Sequence, residues 1–505
     1  MLGVIDSFSR LGLECDPVNV EVDIKPGLPV ITISGLASRE VKEARERLRP
    51  AIENSGFDFP MGRITINLSP VETLKNGSHF DLAMGLGVLI GDGQLQQTTQ
   101  KTAVFGEFSL SGEVRWIRGI IPLVSRANED GYKTIIVPYA NLNELSLFKN
   151  QQIIGVKNLR EATLALNGQL YTKTEFYPVL KPVYESIPDF SEVSAQNELI
   201  RAFEVAAAGN HHMLIIGPPG TGKSMCGARL PGIMPPIDNK DIMEINKIYS
   251  TFRQTRFERH ILSRPFRSPH NSASTRAMIG GGPYILPGEV SLAHKGILFL
   301  DEFLEFKSDT LQSLRTVIEK KEVFISLRNG SAVYPADFLL IAACNPCSCG
   351  YHGVEGQTCT CSAIDIKKYT RKLNNPLTDR IDIQIKTGRI SYNNLTRNNR
   401  TISSATIRSK IETTRDIQTK RYKDETFKLN SAISPDKIKI YCEMSPDAEY
   451  LINDHSDKNV LTARSTHKII RLARTIADID NSQLIELKHI TEAIQMRTLD
   501  GIKNR

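Results

Sequence analysis

The chain has 505 residues, with 63 Lys plus Arg against 56 Asp plus Glu, eight Cys, one Trp, 40% hydrophobic and 24% charged residues. At about 150 residues per domain the length suggests about three domains, and the composition excludes a disordered chain, a collagen and a disulfide scaffold. A net charge of +7 permits a nucleic-acid partner without demanding one.

The N-terminal stretch MLGVIDSFSRLGLECD has no basic run leading into a long apolar one, and no segment approaches the roughly 18 apolar residues of a membrane span. The chain is therefore expected in the cytoplasm, without a membrane partner, where cysteines serve as thiols or metal ligands rather than bridges.

Residues 1–170 read as an α+β unit. Val18–Ile24 alternates with period two, Val30–Ile33 repeats the signal, and Arg39–Asn54 has helical spacing rich in Arg and Glu. A strand over Arg63–Leu68, an apolar helix from Phe80 and a strand over Thr134–Val137 follow. Residues 171–190 hold prolines and aromatics without periodicity, which suggests an extended linker. A second unit over 191–389 contains the short apolar runs Met213–Ile216, Ile297–Leu300 and Phe338–Ala343, a pattern of buried parallel strands. Residues 390–505 read as helical, most clearly over Leu461–Ile479 and Leu484–Met496.

Met213–Ile216 runs straight into Gly217-Pro218-Pro219-Gly220-Thr221-Gly222-Lys223-Ser224, a full GxxxxGK[ST] placed between strand and helix. Its glycines let successive backbone N–H groups close around phosphate, and the helix N-terminus adds its dipole. Lys223 supplies a charge for the β- and γ-phosphates and Ser224 a hydroxyl for Mg2+, so ATP or GTP binding is expected. Ile297–Leu300 delivers two carboxylates at its end. Asp301 would act on Mg2+ through water, and Glu302 would polarise the attacking water. Asn345 follows the third run and would orient that water.

Five of the eight cysteines fall between Cys344 and Cys361. Cys347 and Cys349 form one C-x-C pair, and Cys359 and Cys361 form another nine residues on. Four thiolates could hold Zn2+ tetrahedrally, with His352 as a substitute ligand, or could remain free thiols.

The GPPGTGKS loop, LFLDE about 80 residues later and Asn345-Pro346 after a further strand together resemble AAA+ ATPases. Arg264–His270 (RPFRSPH), Gly280–Pro283 and Leu286–His294 narrow this to a resemblance to the magnesium-chelatase-like ComM/YifB family. Ile33–Leu36, Val41–Arg47, Phe80–Leu82, Ala463-Arg464 and Ala473–Asp478 extend it over nearly the whole chain. The resemblance implies an α/β fold. A P-loop AAA+ core over 191–389 would carry a helical lid over 390–505, after a Lon-protease-like (ribosomal protein S5 domain 2-like) α+β domain over 1–170.

It also implies ATP hydrolysis at the interfaces of a homo-oligomeric ring, expected to be a hexamer. Arg380 would be the finger reaching the neighbour's γ-phosphate, unless it pairs with Asp379 or Asp382 of its own domain. Arg464 would contact ATP from the lid, with Arg471 as its rival. Members of the family resemble DNA branch-migration motors, so branched or single-stranded DNA is the implied partner, in homologous recombination or natural transformation. Candidate DNA contacts are Arg264, Arg267, His270 and Lys295, in or beside insertions that in this branch face the pore. The segment 391–428, with nine Lys or Arg against four Asp or Glu, is a second candidate. The ATPase subunit of a magnesium chelatase, or a protein-remodelling ATPase, is the alternative.

In the Lon-like comparison the serine position falls at His79, beside Ser78, and the lysine position near Ile121. No lysine lies between Lys101 and Lys133, so the domain is expected to be non-proteolytic.

Overall fold

A computed structural model describes residues 2–149, 151–170, 187–252, 260–327, 330–373, 376–388, 402–457 and 462–497. Most of the expected linker (171–186) and the first part of the basic segment (391–401) lie outside the described residues.

The N-terminal unit contains β1 (Gly3–Leu11), β2 (Glu14–Lys25), β3 (Val30–Ser34), β4 (Arg63–Ser69), β5 (Thr102–Val104), a small hairpin of β6 (Glu107–Phe108) and β7 (Val114–Arg115), then β8 (Thr134–Pro138) and β9 (Gln152–Val156). Seven of these form one mixed sheet in the spatial order β3, β4, β2, β1, β5, β8, β9. β2 keeps its alternation: Val18, Val20 and Val22 are buried against the apolar helix Asp81–Gly91, every residue of which is buried. Helix Ile120–Glu129 covers the other face with Phe8, Ile135 and Val137.

β1 went unrecognised in the sequence because its inward positions include Ser7 and Ser9. Their hydroxyls donate to the carbonyls of Val104 and Leu74, which satisfies them in the core but hides the apolar period.

The second unit contains β10 (Met213–Ile216), β11 (Phe266–Arg267), β12 (Gly280–Gly281), β13 (Leu286–Pro287), β14 (Ile297–Leu300), β15 (Glu322–Leu327), β16 (Gly330–Pro335), β17 (Leu339–Cys344) and β18 (Ile383–Lys386). Five of them make an all-parallel sheet in the order β11, β14, β17, β10, β18. Strand parity splits its core in two. Met213, Ile215, Ile297, Phe299, Leu339 and Ile341 face one side, and Leu214, Ile216, Leu298, Leu300, Leu340 and Ala342 face the other. A sheet buried on both faces reads as continuous apolar runs, which is why these strands stood out in the sequence. β12–β13 and β15–β16 are separate hairpins inserted into this pattern.

The described C-terminal helices do not form a core of their own. Ser404–Arg421 packs against Asn197–Gly209 and Lys223–Ile233, and Ile407, Ile411, Ile469, Leu472 and Ile490 belong to the same apolar cluster as Met213 and Ile341. The N-terminal unit docks through helix Ile120–Glu129 onto helix Asn239–Phe252. There the Gly119 N–H donates to the Ser250 carbonyl at 3.1 Å, and the Ser146 hydroxyl meets His260 Nε2 at 2.7 Å. No described helix is long and apolar enough to cross a membrane.

Candidate functional site

Parallel strands deliver their following loops to one edge, and β14, β17 and β10 are neighbours, so three loops meet there. The 217–224 loop leaves β10, Asp301 and Glu302 leave β14, and Asn345 leaves β17. The expected nucleotide residues are therefore brought together by strand order alone. Gly220 and Gly222 hold φ of 76° and 77°, the left-handed values that aim successive N–H groups to one side.

Lys223 opens helix Lys223–Ile233. Its Nζ donates to the carbonyls of Gly217 at 2.7 Å and Pro218 at 2.8 Å and to Asn345 Oδ1 at 3.3 Å, and burial pushes its ammonium below the usual lysine range. Ser224 Oγ donates to Asp301 Oδ2 at 2.5 Å. A hydroxyl and a carboxylate side by side form the hard-oxygen pair that suits Mg2+. Thr221 Oγ1 donates to the Pro218 carbonyl and so braces the loop from within.

Glu302 stands in a left-handed conformation at φ 49°, a cost a non-glycine residue bears at functional sites. Its carboxylate accepts from Asn271 Nδ2. Sequence reasoning missed Asn271. Its signal was its place four residues beyond β11, an edge strand paired with β14, but two residues are too short to register by periodicity.

At the opposite, amino edge of the same sheet lies a cavity of about 340 Å3, lined by residues that precede β10, β17 and β18, among them His212, Asp337 and Asp382. Arg380, Arg464, His467, Lys468 and Arg471 also line it. Arg380 pairs with Glu319 and donates to the Pro376 carbonyl, rather than to Asp379 or Asp382, in the contacts described. Arg464 lies 4.0 Å from the same Glu319. Arg464, expected to contact ATP from the lid, thus stands at the edge of the sheet opposite the 217–224 loop. A four-residue strand separates the two edges by about 10 Å, and Arg464 is on the far side.

Asp382 is buried between Lys468 Nζ at 3.1 Å and His211 Nδ1 at 3.3 Å. Burial alone would raise its carboxyl, but Lys468 and His211 outweigh that and hold it far below the usual carboxylate range. Lys468 sits one turn after Arg464, so this pair ties the helix of Arg464 to the turn of Arg380. No residue spacing marks this link, because Asp382 and Lys468 lie far apart in the chain.

The four DNA-contact candidates lie on or near β11 and just before β14. Arg267 lies on β11 and forms a two-pronged pair with Glu289 at 2.7 Å. Arg264 donates to the carbonyls of Pro235, Pro236 and Lys295. Lys295 lies between Asp241 and Asp337. His270 is exposed, with Nδ1 2.8 Å from Ser272 Oγ. Arg264, Arg267 and Lys295 are thus engaged within the chain. Among the described residues, Tyr284, beside β13, and Phe324, on β15, are large side chains left 62% and 65% exposed.

The sulfurs of Cys347, Cys349, Cys359 and Cys361 lie within 4.8 Å of one another. The His352 ring is not among them, although its backbone N–H donates to Cys347 Sγ at 3.2 Å. In the N-terminal unit His79 is buried with Nε2 2.7 Å from the Phe8 carbonyl, and burial pushes its imidazole down to about 4. Ser78 Oγ donates to Glu107, while Ile121 is fully buried. Lys75 Nζ donates to the Pro70 carbonyl.

Family models for magnesium chelatase subunit ChlI match residues 189–395, for subunit ChlI of Mg-chelatase residues 20–141, and for the ChlI C-terminal region residues 401–497. The uncharacterized protein YifB of Salmonella typhimurium is 35% identical over 99% of this chain and 98% of its own length. The competence protein ComM of Haemophilus influenzae is 34% identical over the same shares. The uncharacterized protein Rv2897c of Mycobacterium tuberculosis is 33% identical over 98% of each. With these relatives matched end to end, and with the P-loop and its acidic partners gathered at one sheet edge, the chain belongs to the magnesium-chelatase-like ComM/YifB family of P-loop ATPases.

Proposed function

We propose that this chain is an AAA+ ATPase that assembles into a cytoplasmic homo-hexameric ring and spends ATP on driving branch migration or unwinding of DNA. One observation carries the ring: the groups suited to phosphoryl transfer are divided between opposite edges of one sheet. A closed site therefore needs the carboxyl edge of one subunit and the amino edge of the next. Residues 1–170 form the Lon-protease-like module, used for assembly or substrate contact rather than proteolysis. Residues 191–389 form the ATPase core and 390–505 the lid, with 171–190 as linker.

In this reading the N–H groups of 217–224 bind the phosphates, and Lys223 turns from the Gly217 and Pro218 carbonyls onto the β- and γ-oxygens. Ser224 and Asp301 would hold Mg2+, which supplies charge neutralisation on the phosphates when bound. Glu302, released by Asn271, takes the proton of the attacking water, and Asn345 orients that water. Arg380 and Arg464 of one subunit leave Glu319 for the γ-phosphate held by its neighbour. A structural zinc ion on Cys347, Cys349, Cys359 and Cys361 is part of the same reading.

The printed name of the Haemophilus influenzae relative, competence protein ComM, supports DNA as the partner. The test is the ATPase rate of the purified protein with no DNA, single-stranded DNA, linear duplex and forked DNA. Forked DNA is expected to stimulate more than linear duplex. Indifference to every DNA, with stimulation by a protein partner, would overturn the motor reading in favour of a chelatase-type or protein-remodelling ATPase.

A further inference from the structure

The loop after Asn345 joins two features that the nucleotide reading leaves apart. The Gly217 N–H donates to the Cys344 carbonyl at 3.1 Å, which stitches the start of the P-loop to the end of β17. Asn345 comes next, with Oδ1 3.3 Å from Lys223 Nζ. The chain then closes a turn in which the Gly350 N–H donates to the Cys347 carbonyl at 3.0 Å. Gly350 holds φ 87° and is packed so closely that a Cβ there would lie 2.7 Å from Pro219 Cδ and 4.0 Å from Asn345 Cγ. The turn, close after Asn345 in the chain, thus rests on the P-loop at Pro219.

Beyond Cys347 and Gly350, ordinary packing does little to hold this segment. Between Ser348 and Ser362 the sole buried residue is Gly350, which has no side chain, so the segment has no apolar anchor of its own. What converges instead is sulfur. Cys347 Sγ is 3.3 Å from Cys349 Sγ and 3.8 Å from Cys359 Sγ, and Cys349 and Cys359 are 3.5 Å apart. Four sulfurs placed at about 2.3 Å around one zinc ion stand about 3.8 Å from one another, close to this spacing. Backbone N–H groups already point at the sulfurs, from His352 to Cys347 at 3.2 Å and from Cys349 to Cys361 at 3.4 Å, as donors that support metal-bound thiolates do.

We propose that zinc bound by Cys347, Cys349, Cys359 and Cys361 positions the Cys347–Gly350 turn, which closely follows Asn345, against Pro219, and so sets the rate of ATP hydrolysis rather than the affinity for ATP. This rests on the ATPase reading. The cysteines touch no reacting atom and act as positioning residues.

The experiment uses the full-length protein as purified. Metal analysis is expected to find one zinc per chain, lost in the double variant Cys347→Ser/Cys359→Ser. Stripping the metal with a chelator is expected to lower kcat about tenfold, while KM for ATP moves less than twofold and added Zn2+ restores the rate. Gly350→Ala keeps all four thiols but drives a methyl group onto Pro219, so the same fall in kcat is expected with zinc retained. Hydrogen exchange of the 217–224 amides, read without any hydrolysis, is expected to quicken several-fold in the metal-free protein.

Absence of zinc from the purified protein overturns the proposal. So does a metal-free protein whose kcat and whose 217–224 exchange both match those of the zinc-bound form. A protein that binds zinc and shows the exchange difference, yet hydrolyses no ATP under any condition, supports the clip and instead sinks the ATPase reading.

Discussion

At the carboxyl edge of the five-stranded sheet, each expected group directly follows its own strand. Lys223 and Ser224 come after β10, Asp301 and Glu302 after β14, and Asn345 after β17. At the amino edge, Arg380, Asp382, Arg464 and Lys468 come from a turn before β18 and from a C-terminal helix, and they meet residues as distant in sequence as His211 and Glu319. The first edge is a row of local motifs and the second a tertiary assembly. An ATPase motif identifies a nucleotide site from one side. The pairings of Arg380 and Arg464 with Glu319, and of Asp382 with Lys468 and His211, appear only when distant segments are packed together.

The strongest way to break this division is to mix rings. Arg380→Ala is expected to lower ATP hydrolysis by about 10³-fold or more, without weakening ATP binding to the chain that carries it. Glu302→Gln is expected to lower kcat by about 10²–10⁴-fold, again with binding retained. Mixing the two inactive variants in equal amounts restores activity if the edges meet across subunits. In a random ring about a quarter of the interfaces pair an intact Glu302 with an intact Arg380. No recovery on mixing, with assembly intact by light scattering, means that both edges serve the same chain.

A smaller effect sharpens the link between lid and finger. Asp382→Asn leaves the buried Lys468 without its charged partner, with the Ile381 carbonyl left to accept from it, and is expected to destabilise the fold by about 3–5 kcal/mol at pH 7. Because the folded carboxyl titrates below its unfolded value of about 3.9, its contribution is present above that value and is lost as pH falls further. The gap in thermal unfolding midpoint between variant and wild type is therefore expected to be wide at pH 7 and to narrow below pH 4. A gap that persists unchanged into acid would show that the charge pair is not its source.

The smallest effect concerns the carboxyl edge itself. Asn271→Ala frees Glu302 from its contact and is expected to raise the DNA-independent ATPase rate several-fold. A fall in that rate would mean that Asn271 helps to present Glu302 rather than restrain it.

Much of the carboxyl edge was legible because a doubly buried parallel strand must be an apolar run. Met213–Ile216 and Ile297–Leu300 therefore announced both the sheet and the residues at its ends. β1 was not legible, since Ser7 and Ser9 point inward and are satisfied by backbone carbonyls 97 and 65 residues away. β11 was not legible either, and with it the true setting of Arg264 and Arg267 was lost. The fold turns Arg267 onto Glu289 and Arg264 onto the carbonyls of Pro235, Pro236 and Lys295. A basic residue in a sequence carries no mark of whether its partner is a phosphate or the protein itself.

The sequence by itself determined the nucleotide chemistry, the acidic pair and the four-cysteine set, because each is a local pattern whose spacing is fixed by one loop or one strand end. Only the tertiary structure decided that Arg464 shares Glu319 with Arg380 across the sheet from the P-loop, and that Asn271 holds Glu302. It alone brought the Cys347–Gly350 turn to rest on Pro219. Those relations depend on strand order and on which faces pack, and neither is encoded in the spacing of the residues concerned.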